Sequence, residues 1–236
     1  ARLLEACQSA LAMLEQAGPL PAGEHTVPAT LRALADAEPG GLAARQLGEL
    51  EALAELAARH AEQDYRFLYD PAQRMLSIGY NVDESRLDAG FYDLLASEAR
   101  LGCFVAIAQG RLPQESWFAL GRLLTEGGGE PVLVSWSGSM FEYLMPQLVM
   151  PSYPGSLLDQ TAHGVVQAQI EYGQARQIPW GVSESGYNAV DVNMNYQYRA
   201  FGVPGLGLKR GLAQDAVIAP YATVMALMVH PPAALE

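Results

Sequence analysis

From Arg66 onward, most segments with helical spacing are apolar nearly all round, and helices of that kind have to be buried on more than one side. The chain therefore reads as helix-dominated. With 236 residues, half of them apolar, it can bury one large core or two small ones.

Two zones differ in texture. Before about residue 64 the chain is rich in Ala, Leu, Glu and Arg. Leu3, Leu4, Leu11 and Leu14, and again Leu42, Leu47, Leu50, Leu53 and Leu56, recur at helical spacing. The break between them holds Gly18, Pro19, Pro21 and Gly23, then a short helix at about 28–38 and Pro39-Gly40-Gly41. Residues 1–64 read as a helical linker or packing segment, and residues 65–236 as the domain that carries chemistry. There, 66–80 predicts a short β-hairpin around a Pro-led turn, and 81–88 a polar loop. Helices are expected over about 90–109, 113–124, 139–149, 157–176 and 220–229, with a strand over 132–136. Ala1 already lies inside a helical pattern and Pro231-Pro232 looks like the start of another helix, so the chain reads as a piece of something longer.

Charge and composition exclude several classes. A net charge of −12 with a single lysine, Lys209, leaves no basic stripe for nucleic acid or anionic lipid, whereas a neutral glycan is compatible. No apolar run is long enough to cross a bilayer. Cys7 and Cys103 have no nearby His or Asp partners and read as free thiols of a reducing compartment. His25, His60, His163 and His230 are scattered singly, so neither a metal nor another cofactor is expected. There is no Gly-x-Ser-x-Gly elbow or catalytic cysteine signature. Gly202 to Arg210 fits no phosphate loop and reads as a close-packed turn.

The carboxylates are more informative. In Pro179-Trp-Gly-Val-Ser-Glu-Ser-Gly-Tyr-Asn188, Glu184 stands alone among aromatic, hydroxyl and amide groups. That mixture suits a sugar: Trp180 and Tyr187 to cover C–H faces, Ser183, Ser185 and Asn188 to bond hydroxyls, and Glu184 for proton or nucleophile chemistry. A plain loop with a solvated Glu has the same residues. On a helix over 90–109, Glu98 falls in the middle of the apolar face with Arg100 pointing the opposite way. A carboxylate there is either paired or raised in pKa, as a general acid requires. Glu142 is the only charged residue between Glu130 and Asp159. It reads equally as a capping-box acid three residues after Ser139 and as a group that holds sugar hydroxyls. Asp83, Glu84, Arg86 and Asp88 form either a solvated charge cluster or a subsite. The run from Asp191 to Arg199, with Asn195, Tyr196 and Tyr198, is too rich in Tyr and Asn for a plain linker.

Several ordered motifs carry a resemblance: Phe67-Leu-Tyr-Asp70, Ser77-Ile-Gly-Tyr-Asn-Val-Asp83, Tyr92-Asp-Leu-Leu-Ala-Ser-Glu-Ala-Arg100, Val134-Ser-Trp-Ser-Gly-Ser-Met-Phe-Glu-Tyr-Leu144, Gln169-Ile-Glu-Tyr-Gly173, Pro179-Trp-Gly-Val-Ser-Glu-Ser185 and Tyr221-Ala-Thr223. From about Tyr65 to Pro231 the chain resembles the glycoamylase-like central region of bacterial cyclic β-1,2-glucan synthases. The resemblance implies an (α/α)6 toroid, here incomplete toward the C-terminus, related to endo-β-1,2-glucanases. It also implies β-1,2-glucan as ligand, other regions of a larger synthase as partners, and a cytoplasmic place within an inner-membrane-associated synthase. By the same resemblance Glu98 matches the acid/base position and Glu184 the nucleophile, with Glu142, Asp88, Trp180, Tyr187, Asn188, Tyr196 and Arg199 lining the subsites. Three functions follow as expectations. The first is retaining transglycosylation that closes a ring. The second is inverting endo-β-1,2-glucanase action, with carboxyls roughly 6.5–9.5 Å apart rather than roughly 5–5.5 Å. The third is glucan binding without catalysis.

Overall fold

The computed structural model describes residues 30–236, except the side chains of Tyr187 and Asn188. The helix expected from Leu3, Leu4, Leu11 and Leu14, together with Cys7, lies outside the described residues. The chain divides into two compact units, Ala1–Gln63 and Asp64–Glu236. In the first, α1 (Leu31–Ala37) starts where Thr30 Oγ1 accepts the Ala33 N–H. α2 (Leu42–His60) follows the Pro39-Gly40-Gly41 break and buries none of its residues, as its solvated charges foretell.

The second unit is mainly α, interleaved with four two-stranded antiparallel ribbons. β1 (Tyr69–Asp70) pairs with β2 (Met75–Leu76) as the hairpin expectation required. Asp70 Oδ1 accepts the Ala72 and Gln73 N–H groups, and Arg74 takes a left-handed φ of 58° to close the turn. The expected polar loop at 81–88 is a second hairpin, β3 (Tyr80–Asn81) with β4 (Arg86–Leu87), its turn made by Ser85 at φ 48°.

The helix expected over 90–109 is confined to α3 (Arg100–Ala108). Residues ahead of it go to extended pairing instead: Phe91 bridges Ser77, and Leu94 bridges Gly121. Helical periodicity in an apolar run is equally served by such buried crossings. The expected 113–124 helix shrinks to α4 (Glu115–Ala119) because Leu124–Gly127 forms β5, paired with β6 (Glu130–Leu133). α5 (Met140–Leu144) continues into a 3-10 turn over Met145–Leu148. α6 spans Leu157–Arg176, as read from the sequence: Ser156 Oγ caps its start, and Gln177 in the left-handed region at φ 56° ends it ahead of Pro179. β7 (Ser185–Val190) and β8 (Tyr196–Arg199) form a bulged ribbon where no strand is expected from the sequence. α7 (Pro220–Ala226) and α8 (Pro231–Leu235) complete the unit. Among the described residues the helices close no barrel.

The core lies where α6 packs on β5–β6 and α5, with Leu133, Met140, Leu144, Val165 and Val166 essentially inaccessible. Burying each such side chain contributes about 1.5–3 kcal/mol. The contact is close because Gly164 has no side chain: a Cβ there would meet Val132 Cγ1 at 2.5 Å and the Gly127 carbonyl at 2.9 Å. Thr161 Oγ1 on α6 accepts the Leu133 N–H, satisfying a buried strand group that has no strand partner there. Among the described residues no helix is long and apolar enough to cross a membrane.

Candidate active site

Two loops and the helix α5 converge on a groove of about 550 Å³, and each brings one glutamate: Glu98, Glu142 and Glu184. Ile78, Phe91 and Tyr92 form one wall, Leu94 and Ser97 lead to Glu98, and Trp136 and Ala200 close the other side.

Glu98 lies in the turn just ahead of α3, not on a helix face. Ser97 Oγ accepts the Ala99 N–H and donates to Glu98 Oε2 at 3.3 Å. Arg100, expected to point away from the apolar face, is buried. Its guanidinium donates to the carbonyls of Ser97 (3.1 Å), Glu142 (2.9 Å) and Tyr143 (2.6 Å). Burial lowers the Arg100 pKa to about 10, against the pull of Glu98, so it stays charged at neutral pH. Arg100 thus ties the Glu98 turn to the end of α5, where carbonyls lack helical partners.

Glu142, 3% exposed, does what a capping-box acid does and more. Its Oε1 accepts the Trp136 and Ser137 N–H groups at 3.0 Å each. Its Oε2 accepts the Ser135 hydroxyl at 3.0 Å, the Ser137 hydroxyl at 2.5 Å, and the N–H and hydroxyl of Ser139 at 2.9 and 2.8 Å. A carboxylate so engaged has little acceptor capacity left for a ligand. Of the two sequence-level readings of Glu142, the geometry favours the structural one. Its work is to shape residues 135–139 and present Trp136, which is 60% exposed on the groove. The close-packed turn expected at 202–210 backs this loop: a Cβ on Gly202 would meet the Ser137 carbonyl at 1.9 Å, and one on Gly207 would meet Gly138 N at 2.5 Å.

Glu184 follows Val182 and Ser183, both buried. Tyr221 Oη donates to the Glu184 carbonyl at 2.7 Å and is bonded to Ser183 Oγ at 2.9 Å, while Ser183 Oγ accepts the Phe141 N–H. The Glu184 carboxylate accepts from Tyr198 Oη at 2.6 Å. Burial pushes its pKa above the ordinary range. Glu98 and Glu142 push the same way, while the Tyr198 bond and Lys209 oppose. Among the described residues none of the three glutamates is in an ion pair. No group of three His, Cys, Asp or Glu is placed there to hold a metal ion.

Trp180, Asp88, Tyr196 and Arg199, also expected at subsites, are not among the residues that line this groove. Trp180 turns to the core, its Cβ against the bare backbone of Gly173, and is not part of the groove lining. Arg199 pairs with Asp215 at 2.6 Å and sits over the Phe201 ring. The Tyr196 ring covers Gly186, where a Cβ would meet it at 2.0 Å. Asp88 is exposed beside Gly79, outside the groove lining. The side chains of Tyr187 and Asn188 lie outside the described residues. Trp136, Tyr92, Tyr198 and Tyr221 were not picked out as site residues. Tyr92, Trp136 and Tyr221 stand in the motifs quoted above and Tyr198 in the Asp191–Arg199 run, which was the available signal.

Comparison with known proteins gives the class: residues 90–236 match the glycoamylase (glucoamylase) family, and the chain belongs to it. It is also 56% identical, over 172 residues and 73% of its length, to the cyclic beta-(1,2)-glucan synthase NdvB of Rhizobium meliloti (strain 1021). The match spans about 6% of that relative's length.

Proposed function

We propose that the groove binds a β-1,2-glucan and that Glu184 and Glu98 cut and re-form its glucosidic bonds with retention at the anomeric carbon. The observation that carries this reading is the opening of Glu98 and Glu184 onto one groove beside an exposed Trp136, in a chain of the glycoamylase family with a cyclic glucan synthase as relative. Glu184 forms a bond to the anomeric carbon as the bond from that carbon to the leaving sugar oxygen breaks, and that oxygen takes its proton from Glu98. An incoming sugar hydroxyl then gives its proton to Glu98 and displaces Glu184, which restores both residues. If that hydroxyl belongs to the far end of the same chain, a ring closes. Trp136 and Tyr92 supply apolar faces for pyranose C–H groups.

In this reading the Asp64–Glu236 unit is part of an (α/α)6 toroid. Residues 1–64 are a linker or packing segment, and other regions of a larger, inner-membrane-associated cytoplasmic synthase are the partners. Incubation with linear β-1,2-glucan tests it. Rings or rearranged chains with retained configuration are expected; shorter linear products of inverted configuration would indicate a hydrolase, and binding without change a non-catalytic domain. Glu98→Gln and Glu184→Gln are each expected to abolish turnover and spare binding. Retained activity in either removes that residue from the mechanism.

A further inference from the structure

We propose that Tyr198 is the positioning residue of this groove, holding Glu184 Oε2 so that Oε1 is the oxygen that attacks. The inference rests on the reading of Glu184 as nucleophile. The main chain at Glu184 is already fastened by Tyr221 at the Glu184 carbonyl and by Gln169, which bonds both backbone groups of Val182. The carboxylate itself is held from a different element, by a 2.6 Å bond from Tyr198 on β8. Tyr198 lies opposite Gly186 in the β7–β8 register, and Tyr196, two residues away on the same face, lays its ring over the Gly186 backbone. That contact steadies the face that carries the phenol.

Besides the neutral phenol of Tyr221 on α7, the charged groups facing Glu184 are Glu98 from the turn before α3, Glu142 from α5 and Lys209 from the turn after Gly207. Two of these three are acids, so a donor on Oε2 is what favours the anion a nucleophile must be. When Oε1 bonds to the anomeric carbon, Oε2 becomes the ester carbonyl oxygen and Tyr198 still donates to it; the phenol keeps its proton throughout. Burial and the bond to Glu184 push the Tyr198 pKa above its ordinary value, so that proton is present at every working pH.

The test is a side-chain carboxyl NMR titration of Glu184 in the resting protein, alongside kinetics on linear β-1,2-glucan, for wild type, Tyr198→Phe and Tyr221→Phe. In Tyr198→Phe, Glu184 is expected to titrate at higher pH, and the acid limb of kcat/KM to move with it. Turnover should fall about 10- to 100-fold, the loss from one hydrogen bond to a charged group, with KM little changed. Tyr221→Phe, which loses bonds to the Glu184 carbonyl and the Ser183 hydroxyl but none to the carboxylate, is expected to move the titration less. An unmoved Glu184 titration in Tyr198→Phe overturns the proposal even if turnover is lost. A moved titration together with an active Glu184→Gln protein overturns the attack-atom assignment through failure of the nucleophile reading.

Discussion

Gln169 and Val182 exchange two hydrogen bonds of 2.8 Å, the side-chain amide donating to the Val182 carbonyl and accepting the Val182 N–H. A helix side chain here imitates a neighbouring strand, and both residues are almost fully buried. Because Glu184 is two residues further on, the placement of the carboxylate depends on an amide inside α6.

Gln169→Met is therefore expected to destabilise the protein by about 2–4 kcal/mol, since it strands a buried N–H and weakens the hold on a buried carbonyl at once. Denaturant unfolding measures this. Activity should fall further than the unfolded fraction explains, and an unchanged midpoint would show that the Val182 groups find other partners.

The Ser135–Ser139 loop has no room behind it. Gly202→Ala places a methyl group where the Ser137 carbonyl stands, at 1.9 Å, against backbone that cannot swing aside. A loss of about 2–3 kcal/mol is expected from such overpacking, with Trp136 displaced. Thermal unfolding and tryptophan fluorescence would register both effects.

Trp136→Ala, by contrast, removes a side chain that is 60% exposed, so unfolding should be little affected. Glucan affinity is expected to fall by about 1–2 kcal/mol, roughly five- to thirtyfold, as for loss of an aromatic anchor. Calorimetric titration with linear β-1,2-glucan checks it, and Trp136→Phe should restore part of the loss.

The raised pKa of Glu184 has a sign that stability measurements can read. Its folded value lies above the ordinary 4.5, so the native state binds more protons than the unfolded one between the two values. Stability from this group is present below the unfolded pKa and is lost as pH rises through the folded pKa. Glu184→Gln lacks that slope. Melting temperatures measured from about pH 4 to 7 should show the variant gaining on wild type as pH rises.

Much of this was legible before any coordinates. α6 was readable because its capping serine, its length and the proline beyond it agree, and the first hairpin because Asp70 and Pro71 make a turn between β-rich runs. The 90–109 segment was not, because periodicity records only that residues such as Leu95, Cys103 and Ala106 are buried and not whether their backbone partners are local. Arg100 shows the same limit: a charge on an apolar segment looks outward until the distant carbonyls of Glu142 and Tyr143 are known to need donors. Trp180 and Trp136 are alike in sequence, each close to a glutamate. The bare backbone of Gly173 drew one inward and Glu142 held the other at the groove, and both facts are tertiary. The β7–β8 ribbon carries Asn, Gly and Tyr in place of an apolar alternation, so it shows no period-2 strand signal.

Tyr143 Oη lies within hydrogen-bond reach of the Leu133 carbonyl, the Leu206 carbonyl and the Ser135 N–H, so one phenol rivets three stretches of chain beneath the groove. The floor is then a single rigid plate, and whatever adapts to a passing polymer has to be sought at the flanking ribbons. Lengthening or trimming the β3–β4 ribbon, which lies between the groove residues Ile78 and Gly90, would alter which chains gain entry while leaving the plate and its glutamates untouched, a natural route for such a scaffold to acquire new preferences.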